Sequence, residues 1–239
     1  MKKFIWLTAI VIFPTLSYAQ TANEDGIEVS ANLKAGAVFQ SYPFELPGFN
    51  NELSSADAKS TGFLNGADII IKKKWLGMIT TLYGRSCSAD ESFYLETYTL
   101  SSFNSGNFFS FGILTGLYFE IPISQGVVNS FYAKLQAGST QAYFPDQELI
   151  FTNSPVSSIK IENEVSAGFV SNIGLGIKFK VGENSALILD LNTMRETADI
   201  LSTQIYNYTD IGQLSERLQV PLDWDMILLN PNIGFSYTF

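Results

Sequence analysis

Alternation between apolar and polar residues is the dominant pattern along this chain. From Gly26 to Gln40, one set of alternate positions runs from Ile27 to Phe39 and is apolar, while the other set is largely polar and includes Glu28 and Lys34. Successive side chains of a β-strand point to opposite faces. The pattern therefore predicts a strand with one apolar and one polar face.

Seven more segments show the same alternation: residues 61–72, 74–85, 108–120, 128–140, 165–180, 185–196 and 226–239. Each is long enough to cross the hydrocarbon core of a membrane, which takes about 9–11 residues in a tilted strand. Strands of soluble proteins are usually about 5–6 residues long. One segment leaves its faces open, because either of two sets could meet lipid: Trp75, Ile79 and Tyr83, or Leu76, Met78 and Leu82.

The connections between these segments alternate in length. Long connections cover residues 41–60, 86–107, 141–164 and 197–225, and short ones lie around Lys73 and at 121–127 and 181–184. Lipid offers no partner to backbone groups, so spanning strands must close into a barrel, and outer-membrane barrels have long outer loops and short periplasmic turns. We predict an all-β fold, an eight-stranded antiparallel up-and-down transmembrane β-barrel with long extracellular loops, short periplasmic turns and both termini in the periplasm.

Three details of this barrel are expectations for the structure to test. A ten-stranded barrel remains open if residues 91–104 and 146–162 supply spanning strands. Residues 147–162 are expected to form a hairpin, and residues 211–218 a short helix. Pro231 cannot donate a ladder hydrogen bond, so a bulge or an irregular entry is expected in the last strand, with Asn232 to Phe239 as its regular part.

The first residues have the features of a secretory signal peptide. Lys2 and Lys3 precede an apolar run from Phe4 to Phe13, and Ser17-Tyr18-Ala19 resembles a cleavage site before Gln20. We expect a signal peptide at residues 1–19 and one barrel domain at residues 20–239, with an uncleaved anchor as the alternative. The pattern indicates no second domain or repeat within these residues.

Composition and charge exclude several functions. The chain has no histidine, which rules out Ser-His-Asp and Cys-His sites and histidine-bound metals, whereas a mechanism that uses only carboxylates remains open. Its net charge is −9, and removal of Lys2 and Lys3 would make it −11, so nucleic acid is not an expected partner. The single cysteine, Cys87, allows no internal disulfide. We expect a non-enzymatic protein with no cofactor and no resident metal.

Four charged residues fall on the polar faces of separate predicted strands. These are Lys34, Asp68, Lys134 and Asp190. Eight strands enclose a space just wide enough for side chains, and a buried charge needs a partner. We therefore expect a structural layer of ion pairs in the lumen. The alternative is a gated polar path for small solutes or protons.

The last residues carry the most specific motif. Asn232, Gly234, Tyr237 and Phe239 place a polar residue, a glycine and two aromatic residues at the spacing of the C-terminal insertion signal of outer-membrane barrels. With the strand pattern, the chain resembles the small outer-membrane β-barrel families typified by the OmpA barrel domain and OmpX, and also the PorT-like barrels of a secretion system. This resemblance implies residence in the outer membrane and recognition by the barrel assembly machinery.

Three functions are compatible with these features. The preferred one is a scaffold, a surface-binding protein or a subunit of a larger outer-membrane complex, in contact with outer-membrane lipid and lipopolysaccharide. The second is a narrow channel, and the third is a histidine-free enzyme acting on lipid or glycan. Clustered acids in the predicted loops, such as Asp146 with Glu148, add the hypothesis of a divalent ion bridging to lipopolysaccharide phosphates.

Overall fold

The computed structural model describes residues 26–43, 57–88, 91, 95, 100–123, 127–152, 154–208 and 215–239. The predicted signal peptide at residues 1–19 lies outside these residues. Within them the chain forms eleven β-strands: β1 (Ile27–Pro43), β2 (Asp57–Lys73), β3 (Leu76–Cys87), β4 (Leu100–Ser105), β5 (Phe108–Pro122), β6 (Val128–Phe144), β7 (Gln147–Phe151), β8 (Val156–Ile161), β9 (Glu164–Lys180), β10 (Ser185–Tyr208) and β11 (Ser215–Thr238).

Eight of these strands form a closed ring. Strands β1, β2, β3, β5, β6, β9, β10 and β11 each pair with the next one in an antiparallel ladder, and β11 pairs back onto β1. Both ends of the chain's described part lie at one end of the ring, where the Phe239 amide donates to the Val29 carbonyl at 3.0 Å. The predicted eight-stranded up-and-down barrel is confirmed. The ten-stranded alternative is wrong, because eight strands already close the ring and the described strands within residues 91–104 and 146–162 lie outside it.

Most ring strands are longer than the alternation predicted. Most of the added residues lie at the end of the ring opposite the termini, which we call the far end. Strand β10 continues twelve residues past the expected end at Glu196 and stays paired with β11 as far as Asn207 and Ser215. The helix predicted at residues 211–218 is wrong at Leu218, which lies in β11, while residues 211–214 fall outside the described part.

The irregularity expected at Pro231 is present in one of its two ladders, and it is an interruption rather than a bulge. Pro231 pairs in register with Leu191 of β10. On its other side, the ladder between β1 and β11 is interrupted between Gly36 and Phe39 but resumes in the same register. Because Pro231 has no N–H to donate, two residue pairs of the β1–β11 ladder are absent, and no extra residue is inserted into either strand.

The outside of the ring is apolar and the inside is largely polar. In β3, Leu76 and Met78 are exposed on the outer face, whereas Ile79 and Tyr83 are buried inside, which settles the ambiguous segment. Exposed aromatic residues lie near both ends of the apolar belt, for example Phe109 and Phe119 on β5. The ten-residue separation along a tilted strand corresponds to about 25 Å, the height of the apolar band of outer-membrane barrels.

No helix among the described residues is long and apolar enough to cross a bilayer.

Three short strands continue the sheet beyond the far end of the ring. Strand β8 pairs with the end of β10, β7 pairs with β8 and β4 pairs with β7. The predicted hairpin within residues 147–162 is confirmed as β7 and β8, and β4 was not predicted. We call β4, β7, β8 and residues 197–208 and 215–226 the extension.

Candidate functional site

The four predicted lumen charges meet in one layer. The Lys34 ammonium lies 2.8 Å from Asp68 and 3.5 Å from Asp190, and the Lys134 ammonium lies 2.5 Å from Asp190. All four side chains are at most 4% exposed. Two cations and two anions therefore neutralise each other inside the ring, which a buried charge requires. We call this group the middle layer.

A chain of hydrogen bonds extends from Asp68 of the middle layer across the lumen. Thr81 donates to Asp68 at 2.7 Å, and the Gln136 amide donates to Thr81 at 2.7 Å. The Asn172 amide in turn donates to Gln136 at 2.9 Å and reaches Asn192 at 3.4 Å. This chain links β3, β6, β9 and β10, so it braces opposite walls of the barrel.

A second ion-pair layer lies near the terminal end and was not predicted. Glu120 is its centre, with the Lys178 ammonium at 3.0 Å and the Lys72 ammonium at 3.2 Å. Lys72 also lies 2.9 Å from the half-exposed Glu28, and Ser130 donates to Glu120 at 2.6 Å. Two lysines and two carboxylates again balance. We call this group the terminal layer.

Aromatic and aliphatic side chains fill the space between these two layers. Tyr118 and Tyr132 are buried with ring centres 5.4 Å apart, and the Lys178 ammonium lies 5.4 Å from the Tyr118 ring centre. Gly176 provides the room for Tyr132, since a Cβ there would lie only 2.2 Å from the tyrosine Cζ atom. Tight packing, rather than a gap, is therefore the role of this glycine.

A third layer lies toward the far end and was also not predicted. The Arg85 guanidinium lies 3.0 Å from Glu196, and Ser110 and Thr140 donate to the same carboxylate at 3.1 and 3.0 Å. Tyr83 donates to Thr140 at 2.9 Å. We call this group the far layer. All of its members have the strand parity of inward residues, which is the signal that could have found them.

An apolar core covers the far layer. Its buried members come from the ring and from the extension, with Phe103, Leu149, Ile159 and Ile161 on the inner face of β4, β7 and β8. On the ring side they include Val38, Leu64, Cys87, Phe108, Phe144, Met194 and Leu228. The described part of the far end is therefore closed by packed side chains.

The residues of the C-terminal motif are divided between the two faces of β11. Asn232 is buried in the lumen and donates to the Asn230 carbonyl at 3.1 Å, and Gly234 lies opposite Lys34. Tyr237 and Phe239 are exposed on the outer face, with ring centres 5.1 Å apart. The strand is paired on both sides, so a role as an insertion signal would belong to assembly and stays a prediction.

Acidic residues at the far end have arginine partners in two cases. Asp225 pairs with Arg195 and Glu162 pairs with Arg217, each at 2.6 Å. Within the described ranges, no three acidic or cysteine side chains come together as a metal ion would need. The bridging divalent ion stays a hypothesis that this geometry does not support.

Several solved structures are similar to this chain. The chain is similar to a major outer membrane protein from Thermus thermophilus, at 12% identity and a TM-score of 0.48, with 88% of this chain and 99% of that chain covered. It is also similar to the outer membrane protein OprG from Pseudomonas aeruginosa, at 14% identity and a TM-score of 0.45, with 88% and 95% covered. Neisserial surface protein A matches at 12% identity and a TM-score of 0.45, with 90% and 97% covered.

This chain is an eight-stranded antiparallel β-barrel with an apolar outer face. No protein-family model matches its sequence, and no curated protein matches it either. The likeness therefore concerns the fold, and the OmpA, OmpX and PorT resemblances stay predictions. The side chains inside the barrel indicate its role. Three neutral ion-pair layers and an apolar cover hold the wall in place and occupy the lumen.

Proposed function

We propose that this barrel is a non-enzymatic scaffold that presents the extension as a binding surface outside the cell. In this proposal both termini are periplasmic and the far end is extracellular. The observation that carries it is the extension itself, a sheet of β4, β7, β8 and the ends of β10 and β11 built on the barrel rim. The inner face of the extension packs against the apolar core of the far end, so only its outer face is available to a partner.

The interior supports a structural role rather than catalysis. The carboxylates of Asp68, Asp190, Glu120 and Glu196 all lie within 3.5 Å of a lysine or arginine nitrogen. A carboxylate mechanism needs two acids of different protonation facing one cleft that a substrate can enter. Paired acids inside a filled barrel do not provide that arrangement.

The narrow channel is the second candidate, and the lumen disfavours it. A continuous path would have to cross the terminal, middle and far layers and then the apolar core. We expect the protein to be silent in a planar bilayer. Stepwise conductance from purified barrels, abolished by a substitution in the middle layer, would replace the scaffold proposal with the channel.

A truncated barrel tests the scaffold proposal directly. Phe144 and Glu164 are register partners on β6 and β9, so a two-residue Asn-Gly turn can replace residues 145–163 and close that hairpin. Both proteins would be tagged and purified from native outer membranes in mild detergent, and co-purifying proteins identified by mass spectrometry. We expect a partner with the full barrel and not with the truncated one. An identical set of co-purifying proteins would refute the extension as the binding surface.

A further inference from the structure

The extension meets the barrel wall at a crease that contains an open pocket. Strand β4 runs into β5 through Gly106 and Asn107, and β6 runs into β7 through Pro145 and Asp146. The Gly106 amide donates to the Asp146 carbonyl at 3.3 Å and ties the two bends together. The pocket over this crease has a volume of about 450 Å³ and is lined by Asn104, Gly106, Asn107, Phe109, Tyr143, Pro145, Asp146, Gln147, Glu148 and Lys160.

One wall of the pocket is aromatic. Phe109 and Tyr143 are register partners on the outer face of the barrel, and their ring centres lie 6.0 Å apart at an angle of 47°. Phe109 is 44% exposed. The pair lies on the same hydrogen-bonded row as the exposed Phe63, at the far edge of the apolar belt. Aromatic rings at this edge offer an apolar face beside water.

A second part of the pocket wall is a row of polar side chains on the outer face of the extension. Asn104, Glu148 and Lys160 are consecutive register partners across β4, β7 and β8. None of the three side chains forms a hydrogen bond or ion pair with another residue in the part of the chain that the structure describes. The row offers an amide that donates and accepts, a carboxylate that accepts and an ammonium that donates.

The charges of the pocket select among ligands. Asp146 and Glu148 contribute two negative charges and Lys160 one positive charge, so the site repels phosphate and sulfate groups. The Asp146 carboxylate already accepts a hydrogen bond from the backbone N–H of Asn163 at 2.9 Å. The volume lies in the range of about 300–1,000 Å³ typical of small-molecule sites. An uncharged ligand with one apolar face and several hydroxyl groups fits both walls.

We propose that the crease pocket binds an uncharged saccharide, with a sugar ring packed on Phe109 and Tyr143 and its hydroxyl groups bonded to Asn104, Glu148 and Lys160. The inference deepens the proposed surface-binding role and depends on it for the extracellular position of the far end. Because the pocket opens at the edge of the apolar belt, the sugar can belong to a glycolipid of the same membrane or to a free glycan. The site chemistry is the same for both sources.

Two binding measurements on the full barrel in nanodiscs separate these sources. The first uses disaccharides of glucose, galactose, mannose and N-acetylglucosamine that carry an uncharged boron-dipyrromethene dye, and it reads fluorescence polarisation. The second incorporates an uncharged diglucosyl diacylglycerol in the nanodisc and measures by mass spectrometry how much stays bound after transfer into detergent. The variants are Phe109→Ala and Glu148→Ala. Phe111→Ala is the matched control, because Phe111 is similarly exposed two residues along the same face of β5 and does not line the pocket.

We expect Phe109→Ala and Glu148→Ala each to weaken binding about tenfold or more, which corresponds to the loss of about 1.4 kcal/mol, and Phe111→Ala to leave it unchanged. If the variants lose binding of the disaccharides, the ligand is a free glycan. If they lose binding of the diglucosyl diacylglycerol alone, the ligand is a membrane glycolipid. The inference is overturned if neither measurement distinguishes Phe109→Ala from Phe111→Ala, or if only phosphorylated or sulfated sugars bind. A barrel that still loses its protein partner on truncation would then keep the scaffold role without the saccharide.

Discussion

Replacing Asp68 by alanine should leave a buried positive charge in the middle layer. In the native layer, Lys34 and Lys134 balance Asp68 and Asp190. Without Asp68 the layer carries one excess positive charge, because Asp190 must serve Lys34 at 3.5 Å and Lys134 at 2.5 Å. Breaking a buried pair by removing one partner costs about 3–5 kcal/mol. We expect Asp68→Ala to lower the free energy of unfolding by about that amount.

The double variant Lys34→Met with Asp68→Leu separates charge from packing. It removes one cation and one anion, so the remaining pair of Lys134 and Asp190 is neutral. Apolar replacement of a whole buried pair is often nearly neutral in stability. We therefore expect the double variant to be more stable than Asp68→Ala, although it changes more atoms.

Urea unfolding in lipid vesicles provides the measurement. Tryptophan fluorescence and the loss of heat-modifiable migration on gels would follow unfolding, with refolding checked for reversibility. A change below about 1 kcal/mol in Asp68→Ala would contradict the ion-pair layer and indicate that water screens the charge. A double variant less stable than Asp68→Ala would contradict the charge-balance reasoning.

Three further predictions concern the rest of the interior. Arg85→Met leaves the Glu196 carboxylate without its cation, so urea unfolding should show a loss of about 3–5 kcal/mol. Gly176→Ala forces the Tyr132 ring aside and should lower stability by about 1–3 kcal/mol in the same assay, and an unchanged midpoint would contradict the tight packing. Cys87 is 1% exposed beneath the extension, so a membrane-impermeant maleimide should label it in the truncated barrel but not in the full one. Equal labelling of the two would mean that the extension does not cover it.

The spanning strands and the middle layer could be predicted because the alternation sets both. An outward apolar set fixes which residues point inward, and Lys34, Asp68, Lys134 and Asp190 then fall in the lumen by parity alone. The same reasoning did not reach the far layer. In β3 both faces carry apolar residues, so the direction of Arg85 stayed open until the structure showed Tyr83 inside and Met78 outside.

The alternation also did not predict the ends of β10 and β11 in the extension, because its phase changes along the strand. In the spanning part of β10 the apolar residues point outward, as Leu189 and Leu191 do, but near the far end they point inward, as Met194 and Ile200 do. The phase of the alternation therefore reverses along one continuous strand. A strand predicted from an outward apolar face therefore ends near Glu196, at the edge of the apolar belt, although β10 continues to Tyr208.

The apolar core at the far end gives the two ends of the barrel different thermodynamics. Unfolding the core exposes Phe103, Leu149 and Ile159 to water, and this exposure raises the heat capacity. The belt that faces lipid contributes no such increase while its segments remain in the membrane. Cooling weakens the hydrophobic effect, so it should lower the stability of the extension, which depends on that effect. It should change the stability of the lipid-facing ring much less. The extension is therefore the part of this protein whose stability falls first on cooling, while the ring stays closed.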